Sequence, residues 1–333
     1  MPFDLSNTLV VGISATALFD LSAEDALFQE QFAHDRENAM LVYRKTMQEK
    51  ENDPLDPGTG YHLVEALLNL NRFQDPEKPP LVEVVVMSRN SPETGLRVLN
   101  NIRRRGLPIT RFAFTAGEPV VDYFDAFNVD LFLSTSVEDV QKVIDSRSCA
   151  AAVLTSPPVN LKQTATDQVR IAFDGDAVLF ADSSELVYKT KGLEEFQQVE
   201  DLEQDTPLDE GPYAALLIKL SRLQERLPGM IEFSPIRIAL VTARSSPAEM
   251  RVIKTLRHWG VYVDEAFFLG GVEKTKVLQA FKPHIFFDDQ DVHLEAASQH
   301  VPSGKVPYHS TSQLHQSFDR KHSLAENNAT TDG

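Results

Sequence analysis

The chain has 333 residues, enough for one large domain or two of ordinary size, each able to bury its own core. Its 49 acidic residues outnumber 32 lysines and arginines, and the net charge of −17 argues against a nucleic acid polymer or an anionic membrane surface as the main partner. The single cysteine, Cys149, rules out an internal disulfide framework and suits a reducing compartment. No apolar stretch reaches the length of a membrane span, and Met1-Pro2-Phe3-Asp4 lacks a basic region followed by an apolar one, so a cytoplasmic protein is expected. A small anionic substrate is compatible with this charge if a local cation or metal offsets the field.

Thr8 to Ile13 is the first apolar strand candidate. Ser22 to about Glu51 has helical spacing, ended by Pro54-Leu55-Asp56-Pro57-Gly58. Leu63, Val64, Leu67, Leu68 and Leu70 form the apolar face of a further helix. Val82 to Met87 reads as a second strand, opening into Ser88-Arg89-Asn90-Ser91-Pro92 and a helix that Gly106 stops. Strands are expected at Arg111 to Thr115 and Val129 to Leu133, a helix at Val137 to Ser146, and a short apolar piece at Ala150 to Leu154 before a linker around Pro157-Pro158. Val169 to Phe173 is another buried strand, and it ends in Asp174-Gly175-Asp176. Beyond about Ser303 the apolar pattern fades, and 303–333 is expected to be a flexible tail.

The second half repeats the first. Pro54-Leu55-Asp56-Pro57-Gly58 recurs as Pro207-Leu208-Asp209-Glu210-Gly211, an offset of 153. Met87 to Pro92 matches Thr242 to Pro247 at 155, and Arg97, Gly106, Phe114 and Phe132 match Arg251, Gly260, Phe268 and Phe286 at 154. In this alignment Asp174 faces Ile13, Asp176 faces Ala15, and Asp288-Asp289 faces Ser134-Thr135. The first copy therefore has the strands without the carboxylates, and chemistry is expected in the second. The expected division is a degenerate unit at 1–146, a linker at 147–168, and a catalytic unit at 169–302 with a helical insertion at 183–228.

Three expected strand ends in the second half carry polar groups: Asp174 and Asp176, then Thr242, then Asp288-Asp289. Lys274 lies between the second and third, at the start of a helix, with Lys276 as the nearby alternative. Open α/β sheets keep ligands at such rims. Carboxylates converging there would repel one another, and Mg²⁺ held by a few of them plus water and a substrate phosphate would relieve the conflict. The nine histidines are scattered, with no spacing that suggests zinc.

Asp174-Gly175-Asp176-Ala177-Val178, Thr242, Lys274 and Asp288-Asp289 stand in the order of the four motifs of the haloacid dehalogenase superfamily of phosphotransferases, which the chain resembles. Ile171 to Phe180, Leu240 to Ser245, Phe267 to Gly271 and Phe286 to Gln290 look like the cytosolic type I 5′-nucleotidase family. The resemblance extends into the first half through Val11 to Ser14, Ser88 to Pro92 and Phe127 to Phe132, and covers nearly all of the chain except the tail. It implies an α/β fold of two tandem haloacid-dehalogenase-like, Rossmann-type units with mainly parallel sheets, the first degenerate.

The resemblance also implies hydrolysis of nucleoside 5′-monophosphates. Asp174 would attack phosphorus to form an aspartyl phosphate, and Asp176 would protonate the leaving oxygen and then activate water. Thr242 and Lys274 would stabilise the phosphoryl oxygens. Mg²⁺ would be held by Asp174, the backbone carbonyl of Asp176, and Asp288, with Asp289 either a direct ligand or behind one. Related enzymes insert a substrate-selecting cap where Ser183 to Leu227 stands. Arg244, Arg89 and Asn90 are candidates for contacting the nucleoside. Thr242 has a plainer competing role, capping the helix after it. Another small phosphate ester as substrate, and a nucleotide-responsive regulatory protein, are the alternative functions; a homo-oligomer stays open.

Overall fold

Most of the apolar runs become strands buried on both faces, as parallel strands covered by helices must be, while Arg111–Phe114 and Glu265–Phe268 at the sheet edges are only partly buried. In the computed structural model, residues 5–159, 167–228 and 234–316 are described. They contain β1 (Leu9–Ile13), β2 (Val82–Ser88), β3 (Arg111–Phe114), β4 (Leu131–Ser134) and β5 (Ala150–Leu154). The second half supplies β6 (Val169–Phe173), β7 (Ile236–Thr242), β8 (Glu265–Phe268), β9 (Ile285–Asp288) and β10 (Ser303–Lys305). All five residues of β1 are buried, and Ile236, Ile238, Ala239, Leu240 and Val241 of β7 are fully enclosed.

The ten strands form one sheet in the order β3-β2-β1-β4-β5-β10-β9-β6-β7-β8. Neighbours are parallel throughout except at β5 and β10, where Gly304 faces Leu154 and Lys305 faces Val153 in an antiparallel pair. The expected two units with mainly parallel sheets are thus joined in a single mixed sheet, a packing the sequence left open, and the pairing removes an unpaired edge from each block. It also reverses polarity. The carboxyl ends of β1, β2 and β4 leave one rim of the sheet, and those of β6, β7 and β9 leave the opposite rim.

The seam corrects the expected boundaries as well. Ser303–Lys305, read as the start of a flexible tail, is a strand in the middle of the sheet, and Val306 and Leu314 beyond it are buried. Residues 317–333 of that expected tail lie outside the described residues. Ala150–Leu154, placed in the 147–168 linker, is β5, while 160–166 of that linker also lie outside the described residues.

The long helical stretch after Ser22 divides into two helices, Ser22–Phe32 and Arg36–Glu49. Asp35 breaks it by accepting a hydrogen bond from the Asn38 backbone as the cap of the second. The insertion between β6 and β7 holds helices Ser183–Lys191, Leu193–Leu202 and Ala214–Glu225. The last of these buries Leu216, Leu217, Leu220 and Leu223. Among the described residues no helix is long and apolar enough to cross a membrane.

Candidate active site

Asp174 follows β6 directly, and its backbone N–H donates to the Phe287 carbonyl on β9 at 2.8 Å, which seats the loop against the neighbouring strand. The Leu179 and Phe180 N–H groups both donate to the Gly175 carbonyl at 2.9 Å. Ala177 takes the left-handed conformation at φ 59° to close this turn. Gly175 permits a close approach: a Cβ there would lie 3.2 Å from Thr242 Oγ1. The absence of that carbon puts the Thr242 hydroxyl, at the end of β7, against the loop that carries both aspartates.

Lys274 draws two strand ends together. Its ammonium donates to Asp288 Oδ2 at 2.7 Å and lies 2.9 Å from Asp174 Oδ1, a charge contact whose angles fall short of a hydrogen bond. All three side chains are buried, whereas Lys276 is exposed. Burial pushes the Asp174 carboxyl up to about 7, opposed by Lys274 and reinforced by the Asp288 and Asp176 charges. Burial acts on Asp288 too, but Lys274 and His293 outweigh it and hold that carboxyl below its ordinary value. Of the two carboxylates sharing Lys274, Asp288 keeps its charge and Asp174 takes the proton as pH falls. Burial alone would lower Lys274; its two aspartates raise it above the usual lysine value.

Asp176 stands differently. Both its carboxylate oxygens accept from Arg244, Oδ2 from Nε at 2.8 Å and Oδ1 from Nη2 at 2.6 Å. The third nitrogen of Arg244 donates to Glu200, so this guanidinium is committed inside the protein rather than presented to a ligand. Thr242 Oγ1 accepts from the Arg244 backbone N–H at 3.2 Å. It caps no helix: the following one, Glu249–His258, has Ala248 at its N-cap.

Asp289 turns from Asp288 toward the segment after β10. Its Oδ2 accepts from the Tyr308 hydroxyl, and its Oδ1 is buried without a hydrogen-bond partner. The same hydroxyl lies 3.3 Å from both oxygens of Glu185, which pairs with Lys189 at 2.5 Å. Burial, then Glu185, Asp288 and Asp174, push the Asp289 carboxyl well above its ordinary value. His293 Nδ1 sits 3.1 Å from Asp288 Oδ2.

Asp174, Asp288 and His293 each offer a ligand atom, and these atoms lie within 4.8 Å of one another, so the group can hold a metal ion. The surroundings fit a cation: Asp174, Asp288 and Asp289 are buried together with one buried lysine, and an Asp289 oxygen has no donor. Of the expected metal set, Asp174 and Asp288 are in this group, and His293 joins them. The Asp176 carboxylate is held by Arg244, which leaves its backbone carbonyl as the expected contact, and Asp289 leans on Tyr308.

Arg89 and Asn90 are not brought to this cluster, a correction with a topological cause. They follow β2, six strand spacings from β6, roughly 29 Å at about 4.8 Å per spacing. The antiparallel seam also sends the carboxyl end of β2 to the opposite rim. There Arg89 pairs with Asp139 and Glu138, and Asn90 accepts from Tyr43. Glu185, Glu200 and Tyr308 were not singled out from the sequence. Tyr308 had one faint signal, its place beside the apolar Val306 in an otherwise polar stretch.

A cavity of about 570 Å³ opens beside the site at the seam between the halves. Ala177, Asp182 and Tyr308 line it from the catalytic side, and Asp130, Arg147 and Cys149 from the first half.

The family model described as 5′-nucleotidase matches residues 1–313. Cytosolic 5′-nucleotidase 1B of Homo sapiens is 36% identical over 299 residues, which cover 88% of this chain and 48% of the relative. The chain thus spans about half the length of the curated relative it matches. No solved structure matches the chain. A match along nearly its whole length, around a rim of buried aspartates and a lysine, means that the chain belongs to the 5′-nucleotidase family.

Proposed function

We propose that this chain hydrolyses nucleoside 5′-monophosphates to nucleoside and phosphate with Mg²⁺, through an aspartyl phosphate on Asp174. The observation that carries this reading is the convergence of Asp174, Lys274 and Asp288 within 2.7–2.9 Å contacts at one sheet rim, with Thr242 on the adjoining strand. That rim is where open α/β sheets place their ligands.

Asp174 attacks phosphorus, the P–O bond to the 5′ oxygen breaks, and the leaving oxygen takes a proton from Asp176. Asp176, now a carboxylate, removes a proton from the water that attacks the aspartyl phosphate, which releases phosphate and restores Asp174. The Lys274 ammonium and Thr242 hydroxyl stabilise charge on the phosphoryl oxygens. Mg²⁺, held by Asp174 and Asp288 with Asp289 or His293 nearby, would supply further electrostatic stabilisation of the phosphoryl group. Arg244 serves Asp176 and not the nucleoside. The nucleoside occupies the seam cavity, whose volume of about 570 Å³ lies in the range of small-molecule sites.

The same reading treats the halves as tandem haloacid-dehalogenase-like units, the first without carboxylates. Sequence offsets of 153 to 155 support it, as do the matching strand orders β3-β2-β1-β4-β5 and β8-β7-β6-β9-β10. Steady-state assays with Mg²⁺ over nucleoside monophosphates, sugar phosphates and other small esters test the substrate. The expected result is the highest kcat/KM on nucleoside 5′-monophosphates; equal or better turnover of sugar phosphates would overturn it.

A further inference from the structure

Glu200, on the helix Leu193–Leu202, is buried at 1% exposure and touches none of the groups assigned to the phosphate. Its Oε1 accepts from Ser184 Oγ at 3.0 Å and from Arg251 Nη1 at 3.1 Å, and its Oε2 accepts from Arg244 Nη1 at 2.5 Å. Arg244 in turn holds both oxygens of Asp176 and lies over the Phe196 and Phe180 rings, 5.3 and 5.9 Å from their centroids. We propose that Glu200 is a positioning residue for phosphate-ester hydrolysis: acting through Arg244, it fixes the Asp176 carboxyl in the orientation from which it exchanges protons with the substrate oxygen and with water. This inference rests on the reading of Asp176 as acid and base.

The geometry gives the relay its logic. An ionised carboxylate has about four lone-pair sites. The two donors of Arg244 fill one on each oxygen, so each oxygen keeps a site for a proton, and the side chain is held while remaining reactive. A planar fork orients its partner only if its own position is fixed. Arg244 is fixed at its far end by Glu200. Glu200 is fixed by Ser184 and Arg251, which stand on helices Ser183–Lys191 and Glu249–His258. Three helices therefore converge on the rotamer of one aspartate.

Stability gives a weak reason for such a network, because buried ion pairs can often be replaced by apolar groups at little cost. Orientation gives a stronger one, because a misplacement of about 1 Å at a reacting group can cost roughly 100-fold in rate. Glu200→Gln preserves shape but turns an amide N–H₂ toward one of the donors that Glu200 accepts from, which releases Arg244 or Arg251 from its anchor.

The test compares wild type, Asp176→Asn, Glu200→Gln and the double variant, all in the full chain with Mg²⁺. The substrates are a nucleoside 5′-monophosphate, whose alkoxide leaves poorly without a proton, and p-nitrophenyl phosphate, whose phenolate leaves without one. Thermal melts establish that each variant folds. Glu200→Gln is expected to lower kcat/KM, which reports the steps up to loss of the leaving group, roughly 10- to 100-fold on the nucleotide and only about 3-fold on the aryl ester, while kcat falls on both because the water step they share also uses Asp176. On the Asp176→Asn background it is expected to add less than about 3-fold. If Glu200→Gln does not fold, Arg244→Lys carries the same test, since it keeps the charge and loses the fork.

Equal losses of kcat/KM on both substrates, or an undiminished effect on the Asp176→Asn background, would overturn the positioning role. A loss of kcat/KM in Asp176→Asn that is the same for both esters would instead reject Asp176 as the acid, and the relay with it.

Discussion

Burying Asp174 beside Asp288 sets two negative charges against one lysine, and Asp174 carries the imbalance. Its carboxyl is pushed up to about 7 from an ordinary 3.8, so between those values the folded chain holds a proton that the unfolded chain has released. Stability falls with rising pH wherever the folded state binds more protons, so cation-free protein loses stability at this position as pH climbs toward and through about 7. From about pH 6 to about pH 8 the loss is about 1 kcal/mol. Denaturant midpoints without divalent cation should fall over that interval in wild type and fall less in Asp174→Asn; equal slopes would count against a buried, strained Asp174. Asp174, Thr242, Lys274 and Asp288 were legible in the sequence because each closes an apolar run or opens a helix, and such ends share a rim in a parallel sheet. Glu200 was not legible: one glutamate among several acidic residues of a helix differs from its neighbours only by its tertiary partners Arg244 and Arg251.

Among the elements, β10 shows how a strand can escape a reading based on apolar runs. Ser303-Gly304-Lys305 has no hydrophobic pattern, and its place is set by backbone pairing with β5 and β9 and by the lack of a side chain at Gly304. A Cβ there would lie 2.9 Å from the Ala152 Cβ and 3.2 Å from Leu154 Cδ2 and Phe287 Cδ1. Gly304→Val is therefore expected to destabilise the protein by about 1–3 kcal/mol, read as a lowered urea midpoint. An unchanged midpoint would mean that the seam has room that the packing does not show. β1, β2, β6, β7 and β9 were legible because their runs of Val, Ile, Leu and Phe are buried on both faces. The break at Asp35 was missed because the charged pattern continues across it, and only a capping hydrogen bond marks the new helix.

For the molecule as a whole, the antiparallel seam decides which parts of the two halves can meet. Arg89 and Asn90 sit in a segment that repeats the one around Arg244, and repeat logic alone makes them attractive as nucleoside contacts. The reversal at β5 and β10 carries them to the far rim, while the amino-terminal ends of β4 and β5 approach the catalytic rim and line the seam cavity through Asp130 and Cys149. No local pattern encodes that reversal, because it depends on which sheet edges pair. On the proposed mechanism, this one sheet presents Asp174 as the nucleophile. The most direct test of that role is turnover of a nucleoside 5′-monophosphate with Mg²⁺ by the full chain and by Asp174→Asn, with thermal melts to show that both fold. Hydrolysis by wild type and a loss of at least about 1,000-fold in the folded Asn variant are expected on removal of a covalent nucleophile; wild-type-like turnover by that variant would rule Asp174 out as the nucleophile.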